Sequence, residues 1–290
     1  MIISVASGRG GSGKTTVATG LALALQSAGR QLGVQRLVFV DCDVEMPSAG
    51  HTLRPLVRRQ MPAGLMLPRV DETLCTHCGH CAEVCQYGAI AVVDDRTMVF
   101  PRLCRGCGSC SLECPENAIS EESHRIGQLS EGRVGSIRTY QAEIAVGAFQ
   151  ITQVIRQTKA RAMKRAEDAV VILDAPTGCS APLVETLRGS DYAILVAEPT
   201  PLGLASLRRA VMLARKQLGI SVGVVINRDD DEYDGIAAFC HENDIPILMH
   251  IPPDERITSA GLDGRPGLVG EVYGAGLLAA FERIAAEVAP

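Results

Sequence analysis

The chain contains no tryptophan, and aromatic residues make up only 3% of it. Any core must then be built from Val, Ile, Leu and Ala, the residues of a buried parallel sheet. No run of about 18 uncharged apolar residues occurs, so no membrane span is expected. The first apolar segment has no basic stretch before it, and no signal peptide is expected. The net charge is −5, which argues mildly against a nucleic-acid surface and leaves a local basic patch open. What the chain does have is 47% hydrophobic residues over 290 positions, enough for one large domain, or one large and one small. It also has eleven cysteines. Without a signal peptide, so many thiols point to a reducing cytoplasm.

Eight of the cysteines form two runs of one design. Cys75, Cys78, Cys81 and Cys85 read C-x-x-C-x-x-C-x-x-x-C, and Cys104, Cys107, Cys110 and Cys114 repeat that spacing 29 residues later. Thiolates are soft ligands, and four per cluster hold a cubane of iron and sulfide. Zinc favours paired C-x-x-C motifs, and a disulfide framework needs an oxidising compartment. The spacing resembles that of bacterial ferredoxins, in which the fourth cysteine of a run ligates the other cluster. That resemblance assigns one [4Fe–4S] cluster to Cys75, Cys78, Cys81 and Cys114, and a second to Cys104, Cys107, Cys110 and Cys85. Gln86 stands where the second run has Pro115. His77 and His80 are expected as solvent-side loop residues.

A second pattern opens the chain. Ile2–Ala6 reads as a buried strand, Gly8 through Thr15 matches G-x-x-x-x-G-K-T, and an apolar helix runs to about Ala28. Glycine loops let successive N–H groups curl around a phosphate, and the following helix N-terminus adds partial positive charge. Gly8, Gly10, Gly11, Ser12 and Gly13 form this loop. Lys14 is expected to reach the terminal phosphates, Thr15 to bind Mg2+, and Thr16 to meet the α-phosphate. A strand at 37–41 ends in Asp41-Cys42-Asp43, and another at 169–174 ends in Asp174. Carboxylates at the C-terminal ends of parallel strands face the ligand crevice, where they hold magnesium or orient an attacking water. Cys42 is expected to point into the core. Further strands fall at 192–197, 222–228 and 247–249, with helices near 202–218, 234–243 and 274–288. From about Arg54 to Pro68 periodicity is lost. Residues 127–139 read as a return linker with a turn or hairpin, and helical spacing resumes from about Glu143 to Arg165. The β-α order predicts an α/β three-layer fold with a mostly parallel sheet. The expected division is a body of 1–67 and 124–290, with residues 68–123 as an inserted α+β module.

The glycine loop, Asp41-Cys42-Asp43, Asp174-Ala175-Pro176, Glu198-Pro199-Thr200 and the inserted cysteine runs together resemble the deviant Walker A ATPases of the MinD, Mrp and nitrogenase-iron-protein class. The closest likeness is to members that contain an inserted ferredoxin domain. The resemblance implies ATP hydrolysis to ADP in a homodimer with nucleotide at the subunit interface. It implies that Asp43 positions the hydrolytic water, that Asp174 belongs to the switch, and that Asn227, Arg228 and nearby Pro252 fall where the family reads the base. The family's signature Lys is Arg9 here, either an arginine finger reaching the second subunit or a solvent-facing loop residue. Cys240 stands alone where the Mrp branch carries a C-x-x-C. Cys179 is either a buried inert thiol or one that faces its twin across a dimer. The expected output is electron transfer or cluster delivery to a client protein. A cluster carrier regulated by ATP and a positioning ATPase are the alternatives.

Overall fold

The computed structural model describes residues 1–257 and 268–288. Along the chain come β1 (Ile2–Ala6), α1 (Lys14–Ala28), β2 (Arg36–Asp41), α2 (Ala49–Leu53) and β3 (Leu56–Val70). Next are α3 (His80–Glu83), β4 (Ile90–Val93), β5 (Arg96–Val99) and α4 (Ser109–Leu112). Then follow β6 (Ile119–Val134), β7 (Ile137–Ile144), α5 (Ile151–Met163), β8 (Ala169–Asp174), α6 (Ala181–Leu187) and β9 (Tyr192–Ala197). The last elements are α7 (Pro201–Val211), β10 (Ser221–Asn227), α8 (Gly235–Glu242), β11 (Ile247–Ile251), and helices Leu268–Val272 and Gly274–Val288.

Nine strands form one sheet in the order β11-β10-β9-β1-β8-β2-β7-β6-β3. All its members from β11 to β7 pair in parallel. β6 turns back against β7, and β3 pairs antiparallel with β6 at the edge. Central strands such as β8 and β9 are buried at every residue, as unbroken apolar runs must be when helices cover both faces. On one face α1, α2 and the C-terminal helix Gly274–Val288 pack around Ile3, Val5, Phe39, Ile172 and Ile194. The other face takes α6, α7 and α8 on one half and α5 on the other. This is the expected three-layer α/β fold with a mostly parallel sheet. Among the described residues, no helix is long and apolar enough to cross a membrane.

The stretch from Arg54 to Pro68, expected to lack regular structure, is instead most of the 15-residue strand β3. With the 16-residue β6 it makes a long ribbon, paired from Leu56↔Arg133 to Val70↔Ile119. Its lower half completes the sheet. Its upper half continues past the C-terminal ends of the parallel strands and carries the cysteine segment. β6 and β7 form the hairpin anticipated for 127–139. The helix expected from Glu143 begins only at Ile151, because residues 137–144 are drawn into the sheet between β2 and β6.

Candidate functional site

The glycine loop links β1 to α1 at the C-terminal edge of the sheet. Gly13 caps α1 at φ 92°, and a Cβ there would come within 2.3 Å of the Asn227 amide. Glycine is therefore required on both conformational and steric grounds. That Asn227 amide donates to the Ser12 carbonyl at 2.8 Å, and Arg228 donates to the Gly11 carbonyl at 3.2 Å. The end of β10 thus clamps the loop. Gly8 lies against the backbone of Ser206 in α7. Gly10 and Gly11 are exposed, Thr15 and Thr16 are half-buried in the first turn of α1, and Pro252 is exposed just beyond β11.

Lys14 is buried, and its ammonium lies 3.4 Å from an Asp43 carboxylate oxygen. A nucleotide phosphate would compete with Asp43 for the same cation. Asp41 and Asp174 are neighbours on adjacent parallel strands, both buried. Asp41 accepts from the Asp43 N–H and the Ala49 N–H, each at 3.0 Å, and so shapes the loop that carries Asp43. Asp174 differs: both its oxygens are buried without a hydrogen-bond partner. Burial raises the pKa of both carboxyls. The Asp174 charge raises that of Asp41 further, while Lys14 partly opposes the rise at Asp174. An orphaned buried carboxylate next to Lys14 and Thr15 fits a cation or its water shell. Ser48 donates to the Thr15 hydroxyl at 3.4 Å.

Glu198, at the end of β9, ion-pairs with Arg228 and lies 3.7 Å from Arg9. Only its place as a strand-end acid beside Pro199 hinted at this role in the sequence. Cys42 is buried in the core as expected. Cys240 is buried in α8, and Cys179 is exposed, against the expectation of a buried inert thiol.

The cysteine runs surround two cavities. One is lined by Cys85, Cys104, Cys107 and Cys110. The other is lined by Cys75, Cys78, Cys81 and Cys114. The fourth thiol of each run thus stands at the other run's cavity. Donors approach the sulfurs: the Ala89 N–H at 3.2 Å from Cys85, the Gly106 N–H at 3.4 Å from Cys104, and the Thr97 hydroxyl at 3.4 Å from Cys75. Ser109 lies 3.5 Å from Cys107, and its hydroxyl lowers that thiol's pKa. Burial raises Cys81 and Cys104 and pushes Cys110 up to about 11. A soft metal must therefore displace these protons on binding. Among the described residues, no three His, Cys, Asp or Glu side chains converge on a single-ion site. His77, expected towards solvent, lines the second cavity, with its Nδ1 3.3 Å from the Thr97 hydroxyl. His80 is more exposed and sits between Glu83 and Glu113.

A phosphate-type glycine loop between a central strand and helix, flanked by acids on neighbouring parallel strands, defines a P-loop nucleotide-binding α/β protein. The chain belongs to the CbiA family, the CobQ/CobB/MinD/ParA nucleotide binding domain, whose model matches residues 3–267. The uncharacterized protein MJ0578 of Methanocaldococcus jannaschii is 34% identical over 202 residues, covering 69% of this chain and 68% of that protein. The cell division ATPase MinD of Pyrococcus furiosus superposes with a TM-score of 0.58 at 21% identity, covering 99% of each chain. The septum site-determining protein MinD of Pyrococcus horikoshii, complexed with Mg-ADP, also gives 0.58, at 20% identity, covering 100% of this chain and 96% of that one.

Proposed function

We propose that this chain binds ATP with Mg2+, hydrolyses it as a homodimer, and uses that cycle to govern two [4Fe–4S] clusters for electron transfer or cluster delivery to a client protein. One observation carries the reading: two four-cysteine cavities stand on a ribbon that is continuous with the nucleotide-binding sheet. Cys75, Cys78, Cys81 and Cys114 would hold one cluster, and Cys85, Cys104, Cys107 and Cys110 the other. Such clusters supply one-electron transfer. The amide donors at Cys85 and Cys104 would favour the more negative, reduced state of a cluster held there. The module is residues 68–123, and the body 1–67 and 124–290.

On the nucleotide side, Lys14 would leave Asp43 for the terminal phosphate, freeing that carboxylate to orient water. Thr15 and Asp174 would serve the magnesium, with Asp41 holding the loop. The Mg-ADP of the Pyrococcus horikoshii protein lends support to this assignment. Asn227, Arg228 and Pro252 would border the base. Arg9 would exchange Glu198 for phosphates of the second subunit, where a guanidinium binds in bidentate fashion.

Anaerobic isolation should return about eight iron atoms per chain, and a value near zero removes the clusters from the reading. Asp43→Ala should keep nucleotide binding and lower turnover by about a hundredfold, and unchanged turnover would take Asp43 out of the mechanism. The full-length likeness to the Pyrococcus furiosus cell division ATPase favours a second reading, a positioning ATPase that uses the module only for docking. In that case serine at all eight ligand positions would leave nucleotide-dependent partner capture intact.

A further inference from the structure

The function proposed above leaves open how the nucleotide acts on the module, and this inference rests on it. The two cavities are joined to the body unequally. Cys104 sits in the same apolar cluster as Val40, Leu173, and Val154 and Ile155 of α5, with Cys85 packed against it. Cys81 and Cys114 of the other cavity pack only in a small cluster with Ile90 and Ile119, which Cys85 and Cys110 of the first cavity also touch.

Helix α5 touches the segment before Cys104, the ribbon and α6. At its N-terminus Gln150, only 4% exposed, donates to the Pro101 carbonyl at 2.9 Å and accepts the Phe149 N–H at 3.1 Å. The Arg102 guanidinium stacks 4.0 Å from the centre of the Phe149 ring. The Pro101–Arg102 segment leads directly to Cys104, whose N–H donates to the Phe100 carbonyl at 3.2 Å. In mid-helix the Gln157 amide takes both backbone groups of Gly64 on the ribbon, at 3.2 and 2.7 Å.

The same helix is tied to both sides of the nucleotide site. The Lys159 ammonium donates to the carbonyls of Glu185, Thr186 and Arg188 at 2.7, 2.7 and 2.9 Å, and Arg156 makes a two-pronged pair with Glu185. These contacts fix the C-terminal end of α6, which follows the loop after Asp174. On the other side the Val44 carbonyl, next to Asp43, accepts the Ile144 N–H at 2.9 Å, and Ile144 opens the loop that ends at Gln150.

We propose that α5 carries nucleotide state to the module through Gln150 and the Arg102–Phe149 stack. The cavity of Cys85, Cys104, Cys107 and Cys110 senses it, and the cavity of Cys75, Cys78, Cys81 and Cys114 does not. Gln150 holds the helix at its N-terminus, and Arg156 and Lys159 tie it to α6 further along, so a shift of the Asp43 or Asp174 loop moves the rod as a unit.

The test is amide hydrogen exchange on the anaerobically purified full chain, with and without Mg-ATP. ATP should slow exchange of the glycine loop. It should also change exchange in segments 100–106 and 145–150 by about fivefold or more, while segment 74–79 stays within about twofold. Gln150→Ala should abolish the response of 100–106 and keep that of the glycine loop. Arg102→Ala, which removes only the stack, should weaken it. The proposal is overturned if 100–106 is silent while the loop responds, if 74–79 responds equally, or if both variants respond like the parent. Missing iron would remove the cluster reading and leave this coupling measurable. A glycine loop indifferent to ATP would remove the nucleotide reading and the coupling together.

Discussion

Asp174 is the residue on which the electrostatics of the site turn. Its oxygens are buried and unpaired, and the neighbouring Asp41 shares its apolar surroundings. Both carboxyls hold a proton more tightly when folded than the roughly pH 3.9 of an exposed aspartate. Such a group supports folding fully below its unfolded pKa, and that support fades as pH rises through the folded value. Without nucleotide, stability should therefore fall between about pH 4 and about pH 8, by at most about 1.4 kcal/mol per pH unit for each proton. Asp174→Asn should flatten that slope and weaken Mg-nucleotide binding more than tenfold, both measurable by denaturation and calorimetry. A slope that survives the substitution would assign it elsewhere. The sequence announced Asp41, Asp43 and Asp174 as acids at strand ends. It did not announce which lone pairs the backbone had already taken, because Ala49 folds back over Asp41 only once α2 is in place.

At the scale of elements, the clearest strands in the sequence were those buried on both faces, such as 2–6, 169–174 and 192–197, where β-branched runs leave no ambiguity. The hidden strand was β3. Pro62 and Pro68 interrupt it, and Arg58 is an extra residue in its pairing, between Val57↔Gly132 and Arg59↔Glu131. An edge strand tolerates both, since proline lacks an N–H only where none is needed on the free side. The same ribbon makes Gly106 irreplaceable: at φ +63°, its Cβ would lie 2.6 Å from Leu65 and 3.0 Å from the Met66 carbonyl. Gly106→Ala should loosen the neighbouring cavity at a cost of about 1–3 kcal/mol, visible as faster local exchange. Lys159→Met keeps the stem and removes the ammonium from three carbonyls. It should lower stability by about 2–3 kcal/mol in urea denaturation, and a loss below half of that would show the α6 terminus finding other partners.

For the whole molecule, the gathering of eight cysteines into two groups is legible in their spacing and its mounting is not. Only the pairing of Val70 with Ile119 tells that residues 71–118 leave the sheet through a two-stranded stem. The stem also gives a clean excision point. Replacing residues 71–118 with a short glycine-rich turn should leave a body that folds and binds nucleotide within about threefold of the parent, since hairpin closure needs only a few residues. Loss of nucleotide binding would mean that the module is part of the body's own stability. The exchange of fourth thiols between the two cavities has a consequence for biogenesis. A nascent chain released only as far as Cys110 has the cavity of Cys85, Cys104, Cys107 and Cys110 complete, while that of Cys75, Cys78 and Cys81 still lacks Cys114. If the cavities hold the proposed clusters, the one that begins first along the chain closes last, and a stray metal caught early by Cys75, Cys78 and Cys81 would block it.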